Sequence, residues 1–192
     1  MTVYNLDKGV DNDVNGQVLK NWLNTNKENI HNLTIKDKGI ATIENMSVMF
    51  AFSYSNLTKV DFSNFNTTNV TNIYGMFDSC TNLASVPNFD TSKVTNMSGM
   101  FQGCTNLSNI PQYNTSNITD MRGIALIAFD CNNLSNASVQ NIINMCLNSN
   151  ITENFYKNLY TNSVYSPFYN TKFDNSYYQN RLTELTNAGW TY

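Results

Sequence analysis

The sequence predicts an α/β solenoid, a stack of short parallel strands with helical or 3₁₀ segments opposite, closed by helices at both ends. Three observations carry that expectation. Two adjoining segments of 24 residues repeat each other, VTNIYGMFDSCTNLASVPNFDTSK from Val70 to Lys93 and VTNMSGMFQGCTNLSNIPQYNTSN from Val94 to Asn117. Within each, the apolar spacing changes character partway, which marks two kinds of local structure. Outside the repeats lie stretches with helical periodicity.

The N-terminal stretch VNGQVLKNWLNTNKENI places Val14, Val18 and Trp22 at four-residue spacing with Leu19 and Leu23 alongside. That spacing predicts an amphipathic helix, stopped by its Asn-rich end and serving as a cap. Leu33, Ile35, Ile40 and Ile43 then supply a degenerate rung. A degenerate first copy of the repeat runs from Ile43 to Asn69, with one extra residue before Leu57 and two more before Phe65. After the two regular copies, a third begins in phase at Ile118 as ITDMRG. Three inserted residues put its Cys131 and Leu134 27 positions after Cys104 and Leu107. Four coils result, the outer two irregular.

Inside a coil, Val94, Met97, Met100, Phe101, Cys104 and Leu107 follow the three-and-four spacing of an inward-packed helical or 3₁₀ face. Downstream, Leu57/Val60, Leu83/Val86 and Leu107/Ile110, each followed by an aromatic at Phe65, Phe89 or Tyr113, predict one short strand per coil. A polar turn such as DTSK or NTSN closes it. After Leu134, NASVQNIINMCLNSN and SYYQNRLTELTNAGW predict two helices, Ile151 to Tyr160 a third between them, and Gly189 a helix stop before Trp190. The chain divides accordingly into an N-terminal helical cap and first rung (1–42), a repeat region (43–134) and a tyrosine-rich helical cap (135–192).

The run from Phe89 through Leu107, F-D-T-S-x-V-T-N-M-S-x-M-F-x-G-C-x-N-L, resembles the BspA-type leucine-rich repeat of bacterial surface proteins and the related repeat of mycoplasma surface lipoproteins. The resemblance covers Ile43 to Leu134, is specific over two full coils and weaker in the outer two, and does not reach either cap. It implies a leucine-rich-repeat solenoid displayed on a cell surface, where relatives are associated with adhesion and with binding host or neighbouring molecules. The chain departs from the pattern in carrying no signal peptide, lipid-anchor cysteine or wall-anchoring tail. The expectation is either an export segment that has been removed or another route to a surface, for example within a phage particle.

Composition narrows the function. Hydrophobic residues make up 41% of the 192 and charged ones only 13%, so the polar coat is supplied by 35 asparagines and 20 threonines. A net charge of −3 gives no electrostatic footprint for nucleic acid or an anionic membrane. The longest apolar run, Ile124 to Phe129, falls far short of the roughly 20 residues that span a bilayer. A single histidine, His31, removes most metal and nucleophile chemistry.

Cys80, Cys104 and Cys131 share one repeat position, with Cys146 outside it. A disulfide between neighbouring coils is geometrically conceivable, but the favoured reading is a small apolar residue where the helical stretch turns. Gly75, Gly99 and Gly123 recur in step and read as close-packing positions between coils; none belongs to a phosphate-binding motif. Asn72, Asn96 and Asp120 read as structural, capping short helices and satisfying buried backbone groups in stacked turns. Asp61 and Asp90 lie in the strand-to-turn region, but other coils carry Asn66 or Asn114 at the position of Asp90, so no paired-carboxylate site can be defended, and no catalytic residue, metal site or cofactor is expected. The many Asn-x-Ser/Thr sequons follow from composition.

Two surfaces remain. On the strand side, Lys59 and Asp61, then Ser85 and Asn88, then Asn109 and Gln112 form a ladder of mostly uncharged polar groups suited to hydrogen bonding with sugars or peptide backbone. In the tail, Tyr165, Tyr169, Tyr177 and Tyr178 make a possible interface, although a cap core explains the same aromatics. The expected function is a non-enzymatic recognition or adhesion module at a bacterial cell or virion surface. Its partner would be a protein or glycan on a host or neighbouring cell, with no nucleic acid and no membrane insertion. The alternative is a structural virion or tail component whose caps pack against other subunits.

Overall fold

The computed structural model describes residues 2–6, 16–37, 43–52, 54–118, 131, 133–151 and 176–190. Strand β1 (Thr2–Leu6), helix α1 (Gln17–Asn26), a 3₁₀ turn (Lys27–Asn29) and strand β2 (Asn32–Asp37) lead to strand β3 (Lys59–Asn64). Helices α2 (Asn136–Asn148) and α3 (Ser176–Asn187) lie near the C-terminus. The three strands form one parallel sheet in the order β1-β2-β3, with Leu33 opposite Val60. The pairing of the opening residues with β2 is a feature that their composition did not announce.

Helix α1 follows from its leucines. Leu19 and Leu23, one helical turn apart, are fully buried, whereas Val18 is 45% exposed and Trp22 half-buried. The inward stripe is therefore displaced by one residue from the Val18–Trp22 line that the sequence suggested; Val14 lies outside the described residues. Tyr54 Oη donates to Asn24 Oδ1 at 3.3 Å and Asn56 Nδ2 to the Glu28 carbonyl at 3.2 Å, which ties this end to the first repeat.

The repeats lie side by side, joined by backbone hydrogen bonds that run in both directions. The amides of Ile73, Gly75, Phe77 and Ser79 donate forward to the carbonyls of Asn96, Ser98, Met100 and Gln102 at 2.7–2.9 Å. The amides of Met46, Val48, Phe50 and Phe52 do the same toward Asn72, Tyr74, Met76 and Asp78. On the strand side, Thr58, Ala84, Ser108 and Ser135 each donate back to the carbonyl of the preceding member, beginning at His31.

This bonding explains why the three-and-four stretch is a chain of turns rather than a helix. Met76, Asp78 and Cys80 bond three residues back within their own segment, while the intervening amides point to the next one. A continuous helix would engage every amide internally and leave none to join neighbours. The reversal requires left-handed residues at two positions four apart in each repeat: Val48 and Phe52, Gly75 and Ser79, Gly99 and Gly103. Glycine is used here for its backbone, and at Gly75 also for close packing between segments, where an added Cβ would meet Val48 Cγ1 at 3.3 Å. A Cβ added at Gly99 would meet only Gln102 Oε1, at an ordinary 3.5 Å. Gly123 lies outside the described residues.

The strand side is likewise reduced. Only the first repeat carries a full strand, β3, and the next two contribute single bridges, Lys59 to Ser85 and Ser85 to Asn109. Pro87 and Pro111 stand two residues beyond those bridges, and a ring nitrogen without a hydrogen cannot continue the ladder.

Between the two sides runs the core. Phe50, Phe77 and Phe101 stack at centroid separations of 5.1 and 5.9 Å with planes within 17° of parallel. Phe62, Phe89 and Tyr113 form a second row, at 5.6 and 5.0 Å. At the C-terminal end, α3 closes on Gly189 at φ 84°. The Gly189 amide donates to Thr186 and the Trp190 amide to Leu185, the paired bonds of a Schellman stop, with Leu185 and Trp190 both buried. The third helix expected from Ile151 to Tyr160 falls on residues outside those described, apart from Ile151 itself.

Replacing Val48 with glycine should stabilise the chain by about 1 kcal/mol, because a β-branched residue is there held at φ 49°. Gly99→Ala should cost a similar amount through φ alone. Urea denaturation of the two variants checks both signs.

Candidate functional site

The polar face begins with asparagine and aspartate turns. Asn45, Asn72 and Asn96 each accept, through Oδ1, the amide two residues on, at 2.9–3.0 Å. Asn66, Asp90 and Asn114 do the same in the closing turn. These are Asx turns rather than helix caps, since no helix follows them; Asp120 lies outside the described residues. A further row bridges repeats directly. Asn82 Nδ2 donates to the Ser55 carbonyl, Asn106 Nδ2 to Asn82 Oδ1 and Asn133 Nδ2 to the Thr105 carbonyl, at 2.6–3.2 Å.

Buried polar groups are matched with the same regularity. Each thiol of Cys80, Cys104 and Cys131 donates at 3.1 Å to a phenylalanine carbonyl of the preceding segment, Phe50, Phe77 and Phe101 in turn. All four described cysteines are free and buried, so the repeat position takes a small side chain with one weak donor. Burial pushes the Cys104 thiol from 9.0 up to about 12, and raises Cys80 as well, with the Cys104 and Asp78 charges adding to it. Thr67, Thr91 and Thr115 form a buried threonine row that the sequence reading passed over, although it stands at the same position of each closing turn. Tyr113 Oη donates to the Pro87 carbonyl at 2.8 Å, and burial lifts its phenol well above 10.0.

Helix α2 stands in for a further repeat. Ser135 caps it by accepting the Ser138 amide. The Ser138 hydroxyl donates to the Ser108 carbonyl at 2.9 Å and accepts the Ile110 amide at 2.8 Å. Asn141 Nδ2 donates to the Ile110 carbonyl, and Thr115 Oγ1 donates to the Met145 carbonyl. The open backbone edge of the last repeat is thereby satisfied by side chains. Arg181 on α3 holds Asn144 of α2 and pairs with Glu184.

All of the residues expected to bind except Asn109 fall into two grooves. Lys59, Ser85 and Asn109 are in register on successive segments. A shallow groove of about 390 Å³ is lined by Lys59, Asp61, Ser63, Ser85, Pro87 and Asn88 over Val60 and Val86. The Ser63 amide, donating at 2.8 Å, holds the Asp61 carboxyl below its ordinary range, with Lys59 adding to the effect. Gln112 is separated from this group and lines a second groove of about 550 Å³ with Tyr113, Asn114, Thr115, Ser116 and Asn148. Its Oε1 accepts from Asn144 Nδ2 at 3.0 Å. Asn109 lines neither groove and donates to Ser108 Oγ. Asn148 is a lining residue that the repeat could not reveal, because it belongs to the cap. The buried Thr34 hydroxyl, in register with Asp61, has no hydrogen-bond partner among the described residues.

Of the tail tyrosines, Tyr165 and Tyr169 lie outside the described residues. Tyr177 and Tyr178 fall in the first turn of α3, their side chains likewise outside the description. Among the described residues no group of three His, Cys, Asp or Glu is placed to hold a metal, and no helix is long and apolar enough to cross a membrane.

A family model described as Mycoplasma protein of unknown function, DUF285, matches residues 17–133 and, in a second register, 44–163, which together span more than half of the chain. No curated protein and no solved structure matches it.

Ser138→Ala should destabilise the chain by about 2 kcal/mol, because it leaves the Ile110 amide without its acceptor; thermal unfolding measures the loss. Stability should also fall as pH rises from about 9 toward 12. An unfolded thiol ionises there while Cys104 stays protonated, so the unfolded state binds fewer protons. Urea midpoints across that range should decline less steeply for Cys104→Ala than for the parent chain.

Proposed function

The chain belongs to the DUF285 family, and from that starting point we propose a non-enzymatic recognition or adhesion module presented at a bacterial cell or virion surface. Its fold in this reading is a leucine-rich-repeat solenoid of the BspA type, capped by helices, and it binds a protein or glycan of a host or neighbouring cell through the strand-side face. One observation carries the reading: Lys59, Ser85 and Asn109 stand in register beside a groove while the same segments fix their backbone to their neighbours. A row of side chains on a rigid backbone presents fixed hydrogen-bonding groups at one strand spacing, about 4.8 Å.

A second reading is assembly into a larger particle through the caps; exposed apolar residues stand on helix α1 and on the first two repeats that follow it. Phe52 is 70% exposed, Tyr74 49%, Val18 45% and Val48 41%. Val48 and Tyr74 sit on adjacent segments joined by a 2.8 Å backbone bond. Such exposure is typical of contact surfaces.

Introducing charge into the face separates the two readings. Ser85→Lys with Asn109→Lys should abolish attachment of labelled protein to cells, measured by flow cytometry, at unchanged melting temperature. Attachment lost instead in Phe52→Ser with Tyr74→Ser, and kept in the lysine variant, would move the function to the N-terminal end.

A further inference from the structure

Resting on the recognition reading, we infer that the two strand-side grooves take a neutral, hydroxyl-rich oligosaccharide. Asparagine is abundant over the whole surface, but its amides are used differently in different places. In the bridging row, Asn82, Asn106 and Asn133 commit theirs to neighbouring segments. In the grooves, Asn88, Asn148 and the Ser85 hydroxyl make no side-chain hydrogen bond, and Gln112 uses only its Oε1, leaving the NH₂ free. Asn114 likewise accepts through Oδ1 and keeps its NH₂. An amide with an open donor and acceptor pairs naturally with adjacent hydroxyls of a sugar ring, which offer one of each.

The grooves adjoin. Ser85 and Asn109 are bridged, and Asn88 of the first groove and Gln112 of the second each stand three residues beyond them, so the two grooves lie on successive segments. A ligand reaching both is longer than a single sugar. Pro87 supplies a small apolar surface for ring C–H groups.

Charge and shape argue against other ligands. Among the described residues, the first groove has Lys59 and Asp61 together and the second has no charged side chain, so this lining favours neither an anion nor a cation. Protein interfaces concentrate their energy in buried Trp, Tyr and Arg anchors. The described large apolar side chains that are exposed, Val18, Val48, Phe52 and Tyr74, line neither groove.

The test is calorimetric titration of the whole chain with cellohexaose, maltohexaose and chitohexaose, and with a heparin hexasaccharide as the charged comparison. At least one neutral hexasaccharide should bind, with Kd changing less than about twofold as salt is raised, since no long-range charge attraction is involved. Asn88→Ala with Gln112→Ala should weaken it about tenfold or more at unchanged melting temperature, while Asn106→Ala should lower the melting temperature and leave Kd unchanged. Failure of all three neutral sugars to bind, binding of heparin alone with a steep salt dependence, or an unchanged Kd in the double variant would overturn the inference. If no sugar binds but the Ser85→Lys, Asn109→Lys protein still loses cell attachment, the oligosaccharide is wrong and the recognition face stands. If attachment also survives, both fall.

Discussion

The structure depends on one constraint: a buried backbone amide must find an acceptor, and in this chain the acceptor is supplied by the neighbouring repeat. Alternate amides between Ile73 and Ser79 leave their own segment and bond to the next. Everything else on that side follows. The segment cannot be a helix, because a helix would retain those amides. It must visit the left-handed region twice, which places glycine at 75, 99 and 103 and strains Val48 and Phe52 in the first copy. The phenylalanine and cysteine rows are then carried into register, and Phe77 O serves both the Cys80 amide of its own segment and the Cys104 thiol of the next.

A ladder of this kind has ends, and an open edge invites unwanted pairing. At the C-terminal end the chain solves the problem with side chains, as Ser138 and Asn141 reproduce on a helix the donors and acceptor that another segment would offer. Val139, Ile142, Ile143 and Cys146 on the same helix cover the apolar edge. At the N-terminal end the solution is a sheet, with β1 and β2 continuing β3 in parallel and α1 burying Leu19 and Leu23.

The uncharged coat is consistent with the same economy. Short amides close turns on themselves, as Asn72 and Asn96 do, or bridge neighbours, as Asn82 and Asn106 do, without the desolvation and screening that charged pairs bring. Where the strand side is interrupted by Pro87 and Pro111, the backbone withdraws from the ladder and shallow grooves open. There Gln112 and Asn114 use only their Oε1 and Oδ1 oxygens in structural bonds.

By itself the sequence determined the period, the inward apolar rows, the positions of α1, α2 and α3, and the stop at Gly189, because each is a local pattern of apolar spacing and turn chemistry. It also brought Lys59, Ser85 and Asn109 to equivalent places, since residues at the same position of a repeat share a row. Tertiary structure decided what spacing cannot express. A three-and-four pattern serves a helix and a run of bonded turns equally well, and only the destination of the alternate amides separates them. Gly75 and Gly99 looked like packing positions, and only their φ values revealed the backbone role they also have. The pairing of β1 with β2, the use of Ser138 as a substitute rung, and the split of the binding row into two grooves with Asn148 in one of them all join residues distant along the chain. No periodicity records such contacts, because they belong to the ends of the repeat and not to the repeat itself.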